Sequence, residues 1–156
     1  MNKSTKIIGI IVALFGLIGN AAAAGTIFEI ARDGSPSEME KILNADKKLI
    51  NARTELGSTP LHIAATSANP EIARLLIARG ANVNARDNND TTPLHIAAFT
   101  GKKELVEFFL SKGADPYAKD FKNETPRDKA HHSLSREIEG ILAVWMLKNQ
   151  QSNKKQ

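Results

Sequence analysis

The chain reads as an all-α solenoid of about four 33-residue helix-turn-helix units with atypical terminal caps. Two observations predict this. The heptapeptide TPLHIAA occurs at 59–65 and again at 92–98, and stepping the same 33 residues outward lands on Thr125 and on Thr26. The register also holds elsewhere without insertion: Glu38, Glu71, Glu104 and Glu137 form one column, and Ala31, Ala64, Ala97 and Ala130 another. Self-similarity at a fixed period of this size marks stacked repeats, each covering a face that its neighbour cannot bury alone.

In chain order, the first 24 residues stand outside the period. Lys3 and Lys6 precede an apolar run over 7–19, and "NAAAAG" follows. A basic start, a short apolar core and an A-x-A arrangement predict a secretory signal peptide over 1–24. Ala22 and Ala24 would occupy the −3 and −1 positions for cleavage before Gly25, and a cut one residue earlier fits nearly as well. The alternative is an uncleaved inner-membrane anchor, for which the run falls short of the roughly 20 apolar residues that span a bilayer. Removing Lys3 and Lys6 lowers the formal charge from +4 to +2. That modest charge speaks against nucleic acid as a partner.

Residues 25–148 hold the repeats, with units near 25–55, 56–88, 89–121 and 122–148, and the polar tail 149–156 is expected to be disordered. Each unit divides into two helices. Thr59 suits an N-cap whose hydroxyl accepts from a first-turn amide, and Pro60 suits the first helical position. The first helix is short, and its alanine column lets neighbouring helices approach closely. The second helix opens at Asn69-Pro70, and in the first unit at Ser35-Pro36, where Ser35 and Glu38 form a capping box. The glutamate column therefore sits in the first turn of each second helix, complementing the helix dipole. Three columns are apolar throughout: Met39, Ile72, Leu105, Ile138; Ile42, Leu75, Phe108, Ile141; and Leu43, Leu76, Phe109, Leu142. Spaced at i, i+3 and i+4, they form one buried stripe. Gly80 and Gly113 suit left-handed helix ends, and Gly57, Asp90 and Asn123 suit positive φ in the inter-unit turns.

"GSTPLHIAA", "RGANVNARD", "TTPLHIAA" and "SKGADPYAKD" closely resemble the ankyrin-repeat family, over about 130 residues. The outer units depart from the pattern. Phe28 and Glu29 stand for Leu-His in the first, and Arg127 and Lys129 replace apolar residues in the fourth. These are expected caps; if Arg127 is instead a defect, the fourth unit frays. The resemblance implies that His62 and His95 hydrogen-bond within and between neighbouring turns. A catalytic use also fails on geometry, since equivalent residues of stacked helices lie some 8–10 Å apart. His131-His132 makes a poor metal pair, because adjacent helical residues diverge.

No cysteine is present, which removes disulfides, thiolate catalysis and cysteine-ligated zinc. There is no GxSxG, phosphate loop or HExxH. No enzyme, cofactor or metal is expected. A small hydrolase with an unrecognised site is the remaining catalytic alternative, and no residue encourages it.

The resemblance implies a monomeric module that binds a protein partner through a concave face and the inter-repeat turns. Its bacterial-type leader places it in the periplasm, with membrane contact only before cleavage. Alternatives are a secreted effector directed at a host cell and a toxin-neutralising or stress-protective periplasmic factor. In this register the binding positions are Arg53, Glu55, Leu56 and Ser58 in the first inter-unit turn. Arg86, Asn88, Asn89 and Thr91 follow in the second, and Lys119, Phe121, Lys122 and Glu124 in the third. Thr66, Ser67, Phe99 and Thr100 join them at the first-helix ends. Phe99 and Phe121 stand out because their counterparts Thr66 and Asn88 are polar. Phe121 either anchors a partner or packs under the fourth unit.

The leader makes the first prediction. Mass spectrometry of exported protein should find an N-terminus at or within a residue of Gly25, and Ala22→Leu with Ala24→Leu should block the cut, because signal peptidase needs small side chains there. An intact Met1 in the exported form would establish the anchor instead.

Overall fold

Among the described residues eight α-helices form as four pairs, one pair for each 33-residue unit. The computed structural model describes residues 21–67 and 70–153. Residues 1–20, the body of the expected leader, lie outside the described residues. The first helices are α1 (Ala21–Asp33), α3 (Pro60–Ala64), α5 (Pro93–Phe99) and α7 (Pro126–His132). The second helices are α2 (Pro36–Ala45), α4 (Pro70–Ala78), α6 (Lys103–Ser111) and α8 (Arg136–Asn153). A 3-10 turn, Lys47–Asn51, follows α2. First helices pack on first helices and second on second, while each pair closes on itself. There is no strand among the described residues, and no helix there is long and apolar enough to cross a membrane.

The column pattern explains this packing. Ala31, Ala64, Ala97 and Ala130 are all fully buried, so the first helices approach with only a methyl between them. Behind them, Met39, Ile72, Leu105 and Ile138 are buried, as are Leu43, Leu76, Phe109 and Leu142. The third column, Ile42, Leu75, Phe108 and Ile141, is partly buried against the same core. One continuous core thus runs through all four units. It is assembled from stripes that no single unit could cover.

The glutamate column does more than meet helix dipoles. Glu38 completes the Ser35 capping box, accepting from the Ser35 amide at 2.9 Å. Glu104 instead receives Arg74 of the preceding unit at 2.5 Å, and Glu137 receives Lys103 at 2.6 Å. These pairs are exposed and solvent-screened, so each adds little to stability. They nonetheless tie successive second helices in register.

Both ends differ from the repeat in a physically legible way. α1 starts at Ala21, so Thr26 lies inside it, where Thr59 caps α3. The alanines at 21–24 are the best helix formers, and they carry the helix back through the expected cleavage site. At the other end α8 runs 18 residues to Asn153, into the stretch from 149 expected to be disordered. That stretch holds no Gly or Pro to stop it.

The fourth unit keeps its helix pair around Arg127. Leu94, Ala98 and Val106 of the third unit are buried, and one period later they become Arg127, His131 and Glu139. Arg127 and His131 both reach Glu139, each at 3.3 Å. Among the described residues no fifth unit packs on this face, and an ion-paired surface takes the place of the apolar one. Arg127 is a cap.

The buried stripe predicts a stability loss. Leu76→Ala and Phe109→Ala should each cost about 2–5 kcal/mol in thermal or urea melts, as large-to-small changes at fully buried sites do. Losses near zero at both would contradict the packing of the second helices.

Candidate protein-binding surface

Between units the chain makes three hairpin turns, here called fingers, built by one recipe. In each the first residue's amide bonds back across the turn: Thr54 to Ser58 O, Asp87 to Thr91 O and Asp120 to Glu124 O, all 3.0 Å. A side-chain acceptor fills the loop beneath. Asp87 Oδ1 takes the Asn89 and Thr91 amides at 2.8 and 2.9 Å, and Asp120 Oδ1 takes those of Lys122 and Glu124. Thr54 does the same for Ser58 with a hydroxyl. Each turn closes through positive φ at Gly57, Asp90 or Asn123. Gly57 has a second reason to be glycine, since a Cβ there would meet Asn88 Oδ1 at 2.3 Å.

The fingers are laced to one another. Arg53 Nη1 donates to Gly57 O at 2.8 Å and to Arg86 O, one period on, at 2.7 Å. Arg86 Nη1 repeats this toward Lys119 O at 2.9 Å. The Asn88 amide donates to Leu56 O, and the Phe121 amide to Asn89 O, both at 3.0 Å. Asn88 Nδ2 adds a bond to Glu55 O. Arg53, Arg86 and Asn88, expected as partner contacts, therefore hold the scaffold with their own side chains.

His62 and His95 join this lacing to the helices. The Thr59 N–H reaches His62 Nδ1 at 3.1 Å, and the Thr59 hydroxyl lies 2.8 Å from the same nitrogen. The hydroxyl thus meets the ring in addition to the first-turn amide expected from sequence, the two sides of one capping box. Because a backbone N–H can only donate, Nδ1 must be the acceptor, which leaves the proton on Nε2. Nε2–H then donates to Thr91 O of the next finger at 2.9 Å. His95 repeats the arrangement with Thr92 and with Glu124 O at 3.0 Å. Both rings are 1% exposed. Burial pushes both imidazoles below their ordinary pKa, and the carbonyls they meet offset this only in part.

The last finger is braced differently. Lys129 takes the column of Ile63 and Ile96, and its ammonium meets Asp120 Oδ2 at 2.7 Å and also Glu124 Oε2. Burial alone would raise the Asp120 carboxyl. Hydrogen bonds from Lys129 and from the Glu124 and Lys122 amides outweigh it and hold the group below the carboxylate range. The second cation in place of an apolar residue is thus a half-buried brace. It bridges the two carboxylates under the third finger.

The remaining expected residues divide in two. Ser67 Oγ reaches Arg32 O at 3.2 Å, and Thr100 Oγ1 reaches Ile96 O at 2.8 Å and Ala65 O at 3.4 Å, tying first-helix ends together. Ser58 and Thr91 are built into their turns. By contrast, Leu56, Phe99 and Phe121 are exposed at 68, 55 and 64%. Phe121 therefore does not pack under the fourth unit. Its ring lies 5.6 Å from Lys122 Nζ.

An open hollow of about 620 Å³ gathers Thr66, Thr91, Phe99, Thr100, Lys122 and Glu124 from the expected set. It does not include the first finger or Phe121. It adds Ile96, Lys129 and His132, which the sequence reading passed over, together with His95 behind them. The period identifies His132 directly, one unit beyond Phe99, and Lys129 likewise one unit beyond Ile96. His132 Nδ1 stands 3.3 Å from Glu124 Oε1. Among the described residues no group of three or more His, Asp or Glu side chains is placed to hold a metal ion.

A family model described as Ankyrin repeats (3 copies) matches residues 27–120, more than half of the chain. The fourth unit, which keeps the period and the helix pair, lies beyond the match. No curated protein matches the chain.

The buried histidines predict an acid response. Their folded pKa values lie below the unfolded value of about 6.5, so unfolding takes up protons in that window. Their stabilisation is complete above the unfolded pKa and is lost as pH falls from there toward the folded values. Between about pH 7.5 and 5 the melting temperature should fall. The His62→Asn, His95→Asn pair should start lower and fall less, His131 and His132 being common to both proteins. Equal slopes would show that neither ring is held neutral by the fold.

Proposed function

The chain belongs to the ankyrin-repeat family, whose repeats are generally protein-protein interaction modules, and on that premise we propose that it is a non-enzymatic binding protein of the periplasm. It acts as a monomer and holds a protein partner across the fingers and the hollow beside them. Phe99 carries this reading. Its neighbours in the column are Thr66 and His132, so the shared core does not demand an aromatic there, yet 55% of it faces solvent at the mouth of the hollow. Aromatic side chains set among polar residues in a concavity are the composition of interface hot spots.

Export is supported by the basic start, the apolar run over 7–19 and the small residues before Gly25. The monomeric state is supported by Arg127, His131 and Glu139, which set ion-paired side chains where the third unit has the buried Leu94, Ala98 and Val106. The TPLH histidines take no part in chemistry on this reading, since both ring nitrogens are already bonded.

The test begins with a crosslinking pull-down from periplasmic extract with tagged protein. Phe99→Ala should weaken the recovered partner by about 1–2 kcal/mol or more, the scale of a hot-spot residue, while the melting temperature stays nearly constant. Unaltered affinity would remove Phe99 from the interface, and a lowered melting temperature would place it in the core.

A further inference from the structure

The lacing of the fingers ends at the third, and its ending leaves chemistry exposed. Arg53 and Arg86 each reach the carbonyl one period ahead, but Lys119 in the same column has no further finger to reach among the described residues. Leu56 O and Asn89 O each accept an amide from the next finger, and Lys122 O is the third in that series. No backbone amide among the described residues is bonded to it. Lys119 and Lys122 are both exposed, and neither ammonium meets a carboxylate among the described residues, because Asp120 and Glu124 are held by Lys129. Between them Phe121 is exposed, and beside Lys122 opens the hollow of Phe99.

We propose that this edge takes an extended acidic segment of the partner protein, with one bulky apolar side chain seated against Phe99. The inference rests on the protein-binding reading and narrows it to a class of partner. Three features are complementary to such a segment. The free Lys122 carbonyl offers the next rung of the ladder to a backbone N–H, as in strand addition at an open edge. Lys119 and Lys122 offer two unpaired cations to its carboxylates, which set specificity and association rate. Phe99 and the Ile96 side chain offer an apolar floor to one side chain. A basic segment would meet the same two ammonium groups with no carboxylate free to answer it.

The experiment pans a random-peptide display library against the full chain and measures the consensus peptide by fluorescence anisotropy. A bulky apolar residue close to Asp or Glu is the expected consensus. Phe99→Ala and the Lys119→Glu, Lys122→Glu pair should each weaken that peptide by about tenfold or more, one hot spot's worth. Helical circular dichroism melts check that these exposed changes leave the fold intact. Panning the charge-reversed protein should return Lys and Arg in place of the acidic residues. A consensus without acidic residues overturns the inference, as does an affinity that ignores the charge reversal. Binding to anionic phospholipid vesicles in place of peptide overturns it too. Peptides or an extracted partner that bind but ignore these substitutions leave the protein-binding reading standing and remove this one. Failure to hold any peptide or extracted protein removes both.

Discussion

A buried imidazole that speaks to two units at once is the interaction on which the rest depends. His62 accepts from the start of its own helix and donates to the turn of the next unit, and His95 does the same. The first bond sets where α3 and α5 begin, and the second sets how far the following finger stands from them. Both groups are buried, where an unpaired donor or acceptor costs about 1–3 kcal/mol, so the geometry tolerates little drift. Among the described residues no buried side-chain nitrogen or oxygen lacks a partner. The finger placed this way then carries the Arg53 and Arg86 bonds onward. Local capping and inter-unit spacing are one device.

The fourth unit shows the device by its alteration. Asp128 stands one period beyond His95 and keeps the local half, accepting from the Thr125 amide and hydroxyl at 2.8 and 2.7 Å. It has no second nitrogen to send forward, and among the described residues no turn lies ahead to receive one. These hydrogen bonds from Thr125 hold its carboxyl below the ordinary range. The same logic turns Leu94, Ala98 and Val106 into Arg127, His131 and Glu139. Leu134 is the exception to this economy. It adopts φ 58° where Gly101 one period earlier has φ 73°, and it is 86% exposed. A leucine there is strained by roughly 1 kcal/mol or more. Nothing in its surroundings explains the choice.

Most of the fold was legible because the repeat prints each structural requirement several times. Apolar columns, the alanine column and the positive-φ column all landed where the period put them. The histidine role came from family resemblance, and the structure supplied its detail, including the hydroxyl's partner. What was not legible lay where the period breaks. The alanines at 21–24 lie within α1 because a run of alanine favours helix regardless of register. Lys129 could be read only as a misplaced charge, since its value depends on Asp120 and Glu124, nine and five residues away, folding beneath it. In the candidate surface, sequence position could not separate Arg86, whose donors meet backbone carbonyls, from Lys122, whose ammonium is unpaired.

That distinction locates function in a repeat protein more sharply than composition does. A residue that recurs in its column and bonds to the next unit is accounted for by stacking, however polar or exposed it is. Arg53 and Arg86 belong to this class, and so do Asp87 and Asp120. A residue that departs from its column and makes no bond the solenoid needs is left over. Phe99 is left over because its column is otherwise polar, and Phe121 because the tip before it carries Asn88. Lys119 is left over for a different reason, since its column's role ends with the last finger. Phe99 and Lys122 line the same open hollow at the end of α5, while Phe121 and Lys119 stand on the third finger outside it. A concave, partly apolar surface edged by polar groups is what contact with another molecule requires.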